Sequence, residues 1–180
     1  MKTKSVLAFG ASYSRQSINA QLAEFVAAHI PTDQLRIVRL EEFDIPLYTP
    51  QYEEEFGIPS KVCEFDQLIQ DAEVVVISLA EHNGSYTAAF KNLFDWLTRL
   101  RSKCFEGKKL ILTSTAPGPR GGLGVLKAAE ERFSRHGAEI LGAFSLPHFN
   151  DNFSPENGIV ESELNKLFEE WMTELLRKLN

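Results

Sequence analysis

A three-layer α/β fold around a five-stranded parallel sheet is what this sequence predicts, and three observations predict it. Short apolar or β-branched runs alternate along the chain with stretches of helical period. One of those runs, Val74 to Leu79, is nearly all apolar, as a central strand covered by helices on both faces must be. The 180 residues, 43% hydrophobic and 24% charged, suit one core, so a single domain over residues 1–180 is expected.

Taken in order, the first strand is expected at Ser5 to Phe9 and its helix at about Asn19 to His29. The second strand, Leu35 to Leu40, precedes an irregular stretch from Glu41 to Pro59, after which Ser60 to Asp71 reads as a helix. The third strand, Val74 to Leu79, leads to a helix at Thr87 to Arg101. In that helix Ala89, Phe90, Leu93, Leu97 and Leu100 form the core stripe, and Lys91 and Asp95 stand one turn apart as an ion pair. Leu110 to Thr113 and Glu139 to Phe144 supply the last two strands, separated by a helix at Leu123 to His136. The final helix, Ser162 to Leu179, sets Leu164, Leu167, Phe168, Trp171, Leu175 and Leu179 on one stripe that should close a face of the sheet. Right-handed crossovers connect such units. No internal repeat, low-complexity tract or linker interrupts them.

The formal charge of -6, with no run of Lys or Arg, argues against nucleic acid as a partner while leaving room for a small anion held by a few groups. No apolar stretch reaches the roughly 18 residues of a membrane span, and Met1 to Lys4 lead directly into a strand-like segment; a cytoplasmic protein is expected. Cys63 and Cys104 lie far apart without a Cys-x-x-Cys pattern, so free thiols are expected, and the four scattered histidines suggest no metal site.

In an open α/β sheet ligands settle beyond the carboxyl ends of the strands, where strand order reverses, which directs attention to three loops. The first, Gly10 to Asn19, is crowded with hydroxyls and carries Arg15. It reads either as an ordinary capped turn, with Ser17 or Asn19 as the cap, or as a phosphate site. In the second case Ser12, Ser14, Ser17 and Asn19 add donors to the open N–H groups of a helix start. It lacks both Gly-Lys-Ser/Thr and Gly-x-Gly-x-x-Gly. In the second loop Asn83-Gly84-Ser85 allows either a tight strand-to-helix turn capped by Ser85 or outward N–H groups for a flat heterocycle, with Glu81 and His82 just before it. The third, Ser114 to Gly122, combines Pro117 and Pro119 with glycines, and is either simple punctuation or a preformed wall.

Two further features invite a role. The stretch from Glu41 to Pro59, containing Phe43, Tyr48, Tyr52 and Phe56, exceeds the length of about 12 to 15 residues beyond which connections are uncommon and reads as a lid or a partner-docking segment. Asn92, Trp96 and Arg99 mark a third face of their helix, open either to packing or to a two-fold interface.

Three of these segments resemble the NADPH-dependent FMN reductase family, and the likeness spreads over most of the chain. Ala11 to Asn19 stands in register with that family's Gly-Ser-x-Arg-x-x-Ser-x-Asn. Ala80 to Ser85 followed by Lys91-Asn92-Leu93-Phe94-Asp95-Trp96 is similar to its Pro-Glu-Tyr-Asn-Gly-Ser and Lys-Asn-x-x-Asp-Trp, and Asp44 to Tyr48 to its Leu-Pro-x-Tyr. His82 stands where the family has Tyr, Thr87 where it has Pro, and Ala11 where it has Gly. The resemblance implies a flavodoxin-like three-layer fold with a five-stranded parallel sheet, and FMN as cofactor with NADPH or NADH as hydride donor.

It also implies that Ser12, Ser17, Ile18 and Asn19 hold the FMN phosphate, with Ser14 at the usual arginine position and Arg15 supplying that charge. Glu81, His82, Asn83, Gly84 and Ser85 would meet the flavin ring, chiefly through backbone groups, and Ser114 to Gly118 would line its other side. No catalytic side chain is implied, because hydride passes from nicotinamide to flavin and on to a small-molecule electron acceptor such as a quinone, free flavin, azo compound or metal oxyanion. A homodimer or homotetramer with the Trp96 helix at its interface is implied as well. The alternatives are a flavodoxin-type electron carrier and a flavodoxin-like binding module without catalysis.

Overall fold

The computed structural model describes residues 4–179, so the start read at Met1 to Thr3 lies outside the described residues. From the amino end the chain runs β1 (Ser5–Ala11), α1 (Ile18–Ala28), β2 (Gln34–Arg39), a short 3-10 turn (Leu40–Glu42), α2 (Pro50–Phe56), α3 (Ser60–Asp71) and β3 (Val74–Leu79). A small hairpin of β4 (Glu81–His82) and β5 (Ser85–Tyr86) follows, then α4 (Ala88–Leu100), β6 (Lys109–Thr115), α5 (Leu123–Arg135) and β7 (Glu139–Leu146). The chain finishes with α6 (Phe149–Asn152), a second hairpin of β8 (Phe153–Ser154) and β9 (Gly158–Ile159), and α7 (Ser162–Leu179).

Five parallel strands pair in the order β2-β1-β3-β6-β7, the doubly wound flavodoxin-like arrangement. All six residues of β3 are buried, and its five apolar side chains alternate between two cores. Val75, Ile77 and Leu79 join Phe65, Phe90, Trp96 and Phe133 under α3, α4 and α5. Val74 and Val76 join Leu22, Val26, Phe168 and Met172 under α1 and α7. A strand sandwiched in this way has no polar face, which is why the sequence shows a continuous apolar run there. Each fully buried side chain of this size contributes about 1.5–3 kcal/mol relative to exposure.

The site is positioned by where these strands stop. Ala11 pairs with Leu79, and Leu79 with Ser114, so the loops after β1, β3 and β6 leave the sheet at one level. β1 runs past the expected Phe9 to Ala11, which carries Gly10 against α1: a Cβ there would lie 2.4 Å from the Ala20 nitrogen. Only a residue without a side chain lets the first turn of α1 settle on the strand end.

Two expectations are corrected. In α7 the buried line is Phe168, Met172, Leu175 and Leu179, whereas Leu167 is 55% exposed. These four follow steps of four, three and four residues, and Leu167 falls on their flank.

The second correction concerns the stretch from Glu41 to Pro59, expected to be irregular, which contains α2 and lies across α4. Asn92 accepts from the Tyr48 N–H (2.8 Å) and donates to the carbonyls of Ile45 and Pro46. The Trp96 indole N–H donates to Pro46 O at 2.8 Å, and its ring takes edge contacts from Tyr48 and Tyr52. Arg99 pairs with Glu53 at 2.9 Å. Trp96 is 0% exposed and fills the chain's own core. Asn92 and Trp96 are matched by backbone groups of the overlying strap and Arg99 by the Glu53 carboxylate, because a buried indole and amide need partners.

Candidate functional site

The loop after β1 folds onto itself before α1 begins. The Ser14 N–H donates to Ser12 Oγ (3.2 Å), the Gln16 N–H to Ser14 Oγ (3.3 Å) and the Ala20 N–H to Ser17 Oγ (3.1 Å), making Ser17 the N-cap. Each serine oxygen thus accepts, leaving its hydroxyl hydrogen to donate. The N–H groups of Ile18 and Asn19 open α1 with no carbonyl before them. Backbone donors, the helix dipole and three hydroxyls together make this end suited to an anion. Tyr13, beside it, donates its hydroxyl to Phe43 O. Burial, and secondarily the Asp44 carboxylate, push that phenol above its ordinary value, so it stays protonated as a donor.

The loop after β3 is a β-hairpin, with Glu81 opposite Tyr86 and His82 opposite Ser85. Asn83 (φ 51°) and Gly84 (φ 76°) form its two-residue turn, both left-handed as a type I′ turn requires. The cap of α4 is accordingly Thr87, whose Oγ1 accepts from the Phe90 N–H and donates to Ala11 O at 2.9 Å, and not Ser85. Burial pushes the Tyr86 phenol up to about 12, against the pull of Arg132.

The loop after β6 is held from within. Ser114 and Ser145 both donate to Gly121 O (2.7 and 3.0 Å), His148 N–H donates to Gly118 O, and Phe149 N–H to Ala116 O. Gly121 and Gly122 adopt left-handed conformations as the chain turns into α5. The wall is therefore rigid for reasons beyond its prolines.

These loops enclose one cleft of about 190 Å³, lined by Ser12, Ser14, Gln16, Ser17, Ile18 and Asn19 on one side and by Ala80, Glu81, His82, Thr115, Ala116 and Pro117 on the other. A second depression of about 320 Å³ adjoins it through Glu81 and Ala116, and is lined further by Gly84, Gly118, Pro119, Arg120, Gly121 and Gly122. Of the residues anticipated from sequence, Ser12, Ser14, Ser17, Ile18, Asn19, Glu81 and His82 meet in the first and Gly84 and Gly118 join the second.

Four others do not line either. Arg15 is exposed, and Asn83 and Ser85 sit exposed on the hairpin. Ser114 is 0% exposed and braces Gly121 from beneath. The Asn19 amide, at the cleft's edge, is already hydrogen-bonded to Ser78 and Thr115. Gln16 and Ala80 line the cleft but were missed; Gln16 carried a signal, standing between two of the serines in the same turn.

The sequence model of the NADPH-dependent FMN reductase family matches residues 5–151, which include every loop of this cleft. The chain belongs to that family. A quinone reductase of Escherichia coli (strain K12) is 37% identical over 79 residues, covering 44% of this chain and 42% of that protein. A 2-hydroxy-1,4-benzoquinone reductase from Burkholderia sp is 34% identical over 111 residues, 61% of this chain and 59% of the relative. These matches thus span about half the length of the curated reductases. Among solved structures, the flavoenzyme NAD(P)H:(acceptor) oxidoreductase FerB from Paracoccus denitrificans shares the fold with a TM-score of 0.75 at 18% identity, over 97% of this chain and 96% of that one.

In this family member the residues present fit FMN. The open first turn of α1 and the hydroxyls of Ser12, Ser14 and Ser17 form a donor set suited to a phosphate monoester. Along the same groove, the hairpin and the loop after β6 face each other as two walls.

Proposed function

We propose that this chain is an FMN-dependent oxidoreductase that takes electrons from NADH or NADPH and delivers them to a small acceptor of the quinone type. The observation that carries the proposal is the single groove in which an anion-binding helix start meets two polar-backbone walls. A phosphorylated planar cofactor needs that combination.

Ser12, Ser14 and Ser17, with the N–H groups of Ile18 and Asn19, would hold the phosphate. Glu81, His82, Ala116, Pro117 and Gly118 would border the ring, and the hydrogen-bonded frame at Gly121 would keep that border fixed without reorganisation during turnover. When bound, FMN would supply the two-electron chemistry, accepting hydride from the nicotinamide and returning it to the acceptor. The protein's own part is to orient and to exclude misplacement, since holding reactants in line accounts for much of such a barrier. Quinone is favoured because the E. coli and Burkholderia relatives carry quinone in their names.

The test is the visible spectrum of purified protein titrated with FMN, followed by anaerobic addition of NADH or NADPH. Saturable binding, bleaching by the nucleotide and recovery of colour on adding a benzoquinone are expected. Protein that binds no FMN sinks the reading. Binding without bleaching would point to an electron carrier, and recovery only with azo dye or chromate would displace quinone as the acceptor.

A further inference from the structure

The buried amide of Asn19 joins three parts of the molecule that are distant in sequence. Its Oδ1 accepts from the Ser78 hydroxyl (2.8 Å) and from the Thr115 N–H (3.0 Å), and its Nδ2 donates to Thr115 O (3.1 Å). Asn19 is 2% exposed, Ser78 0% and Thr115 1%, so none of these bonds competes with water. The paired bonds to Thr115 are those that the backbone of a neighbouring strand would make. β3 ends at Leu79, opposite Ser114, and Thr115 lies one residue beyond that last pair. The side chain of Asn19 therefore supplies the rung that β3 no longer can.

The position of that rung has a consequence for the site. Asn19 is the second residue of α1, the helix whose open end forms the anion site, and Thr115 leads directly to Ala116 and Pro117 on the opposite wall. From the strand side, Gly10 lets the same helix turn sit against β1, where a Cβ would come within 2.4 Å of Ala20 N. One buried carboxamide thus ties the two ends of the groove together.

We propose that Asn19 is a positioning residue: its buried amide clamps the start of α1 to the end of β6 and so fixes the distance between the anion end and the ring wall of the groove. The proposal rests on the flavin reading for its ligand, but the clamp itself exists without one. A ligand that spans both ends, such as FMN, gains from a fixed spacing because its second contact becomes intramolecular, whereas a ligand using one end gains nothing from it.

The experiment compares wild type with Asn19→Ala and with the milder Ser78→Ala, each first checked for folding by thermal denaturation. Amide hydrogen exchange on the ligand-free protein reads the clamp directly: the Thr115 N–H should exchange at least about tenfold faster in Asn19→Ala and by a smaller factor in Ser78→Ala. Binding then reads its purpose. FMN affinity should fall about tenfold or more in Asn19→Ala, while riboflavin and inorganic phosphate, each using one end, change less than about threefold. Unchanged exchange at Thr115 overturns the clamp, and it does so whether or not flavin binds. Equal weakening of inorganic phosphate and FMN also overturns it, because the Asn19 side chain would then be a direct phosphate ligand. Wild type that binds no FMN defeats the flavin reading and, with it, the assigned purpose, while the exchange result still stands for the clamp alone.

Discussion

Two segments that both look irregular in sequence, the serine-rich loop at 12–17 and the strap at 41–59, end up in opposite conditions. The strap spends its polar groups on its own chain: Tyr48, Ile45, Pro46 and Glu53 are matched by Asn92, Trp96 and Arg99 of α4. The loop keeps donors in reserve, with its serine oxygens accepting locally while, among the described residues, their hydroxyl hydrogens and the first N–H groups of α1 take no partner beside the cleft. Length and aromatic content therefore mark a segment that packs, and unspent donors mark one suited to a ligand. Backbone accounting separates the two where composition does not.

The contrast can be broken most forcefully at Trp96. Replacing it with Ala should lower stability by about 3–5 kcal/mol in urea denaturation, since a full indole leaves the core. Flavin affinity of the protein that remains folded should stay within about threefold of wild type, as Trp96 meets the strap and not the cleft. A selective loss of flavin would mean that the strap belongs to the site.

Gly10→Ala should show the reverse balance. Its new Cβ would collide with the backbone at Asn19 and Ala20, a cost of about 1–3 kcal/mol, and by lifting the helix start it should weaken FMN more than riboflavin. Equal weakening of both would detach the helix start from phosphate binding.

A matched pair of caps sharpens the comparison further. Ser17 caps α1 and Thr49 caps α2 in the same manner, accepting from Ala20 and Tyr52 N–H groups at 3.1 and 3.0 Å. Changing either to Ala should cost about 1 kcal/mol of stability. Only Ser17→Ala should reduce FMN affinity, by about tenfold if its hydroxyl donates to the phosphate, which charge assistance makes the stronger kind of bond. Isothermal titration on the two variants decides it.

The smallest effect is one of pH. Burial pushes the Cys104 thiol, on the core face shared with Trp96, up to about 12 from an ordinary 9.0. Its folded form thus holds a proton that the unfolded chain releases, so stability is complete below about pH 9 and declines as pH rises toward 12. Between pH 8 and 9.5 the loss from this group should stay below about 1 kcal/mol. In native protein at pH 8 a thiol reagent should label exposed Cys63 rapidly and Cys104 only through unfolding; rapid labelling of both would show that this core face opens.

Much of the molecule was legible from residue pattern. The apolar run at Val74 to Leu79, the helical stripe at Phe90, Leu93 and Leu97 and the hydroxyl-rich turn at Ser12 to Ser17 are local signals, because burial period and helix capping act over a few residues. They set the alternation of strands and helices, the loops that bear the site, and the family likeness. The directions in which side chains spent their hydrogen bonds were not legible. The side chains of Asn19 and Ser114, read as ligand groups, bond to backbone of their own chain, and Trp96, read as either packing or interface, is buried in the core. Asn19 reaches Thr115 across 96 positions, and Trp96 reaches Pro46 across 50. A polar residue is equally suited to a ligand or to a buried partner, and the choice falls to whichever backbone group the folded chain brings within reach and hides from water.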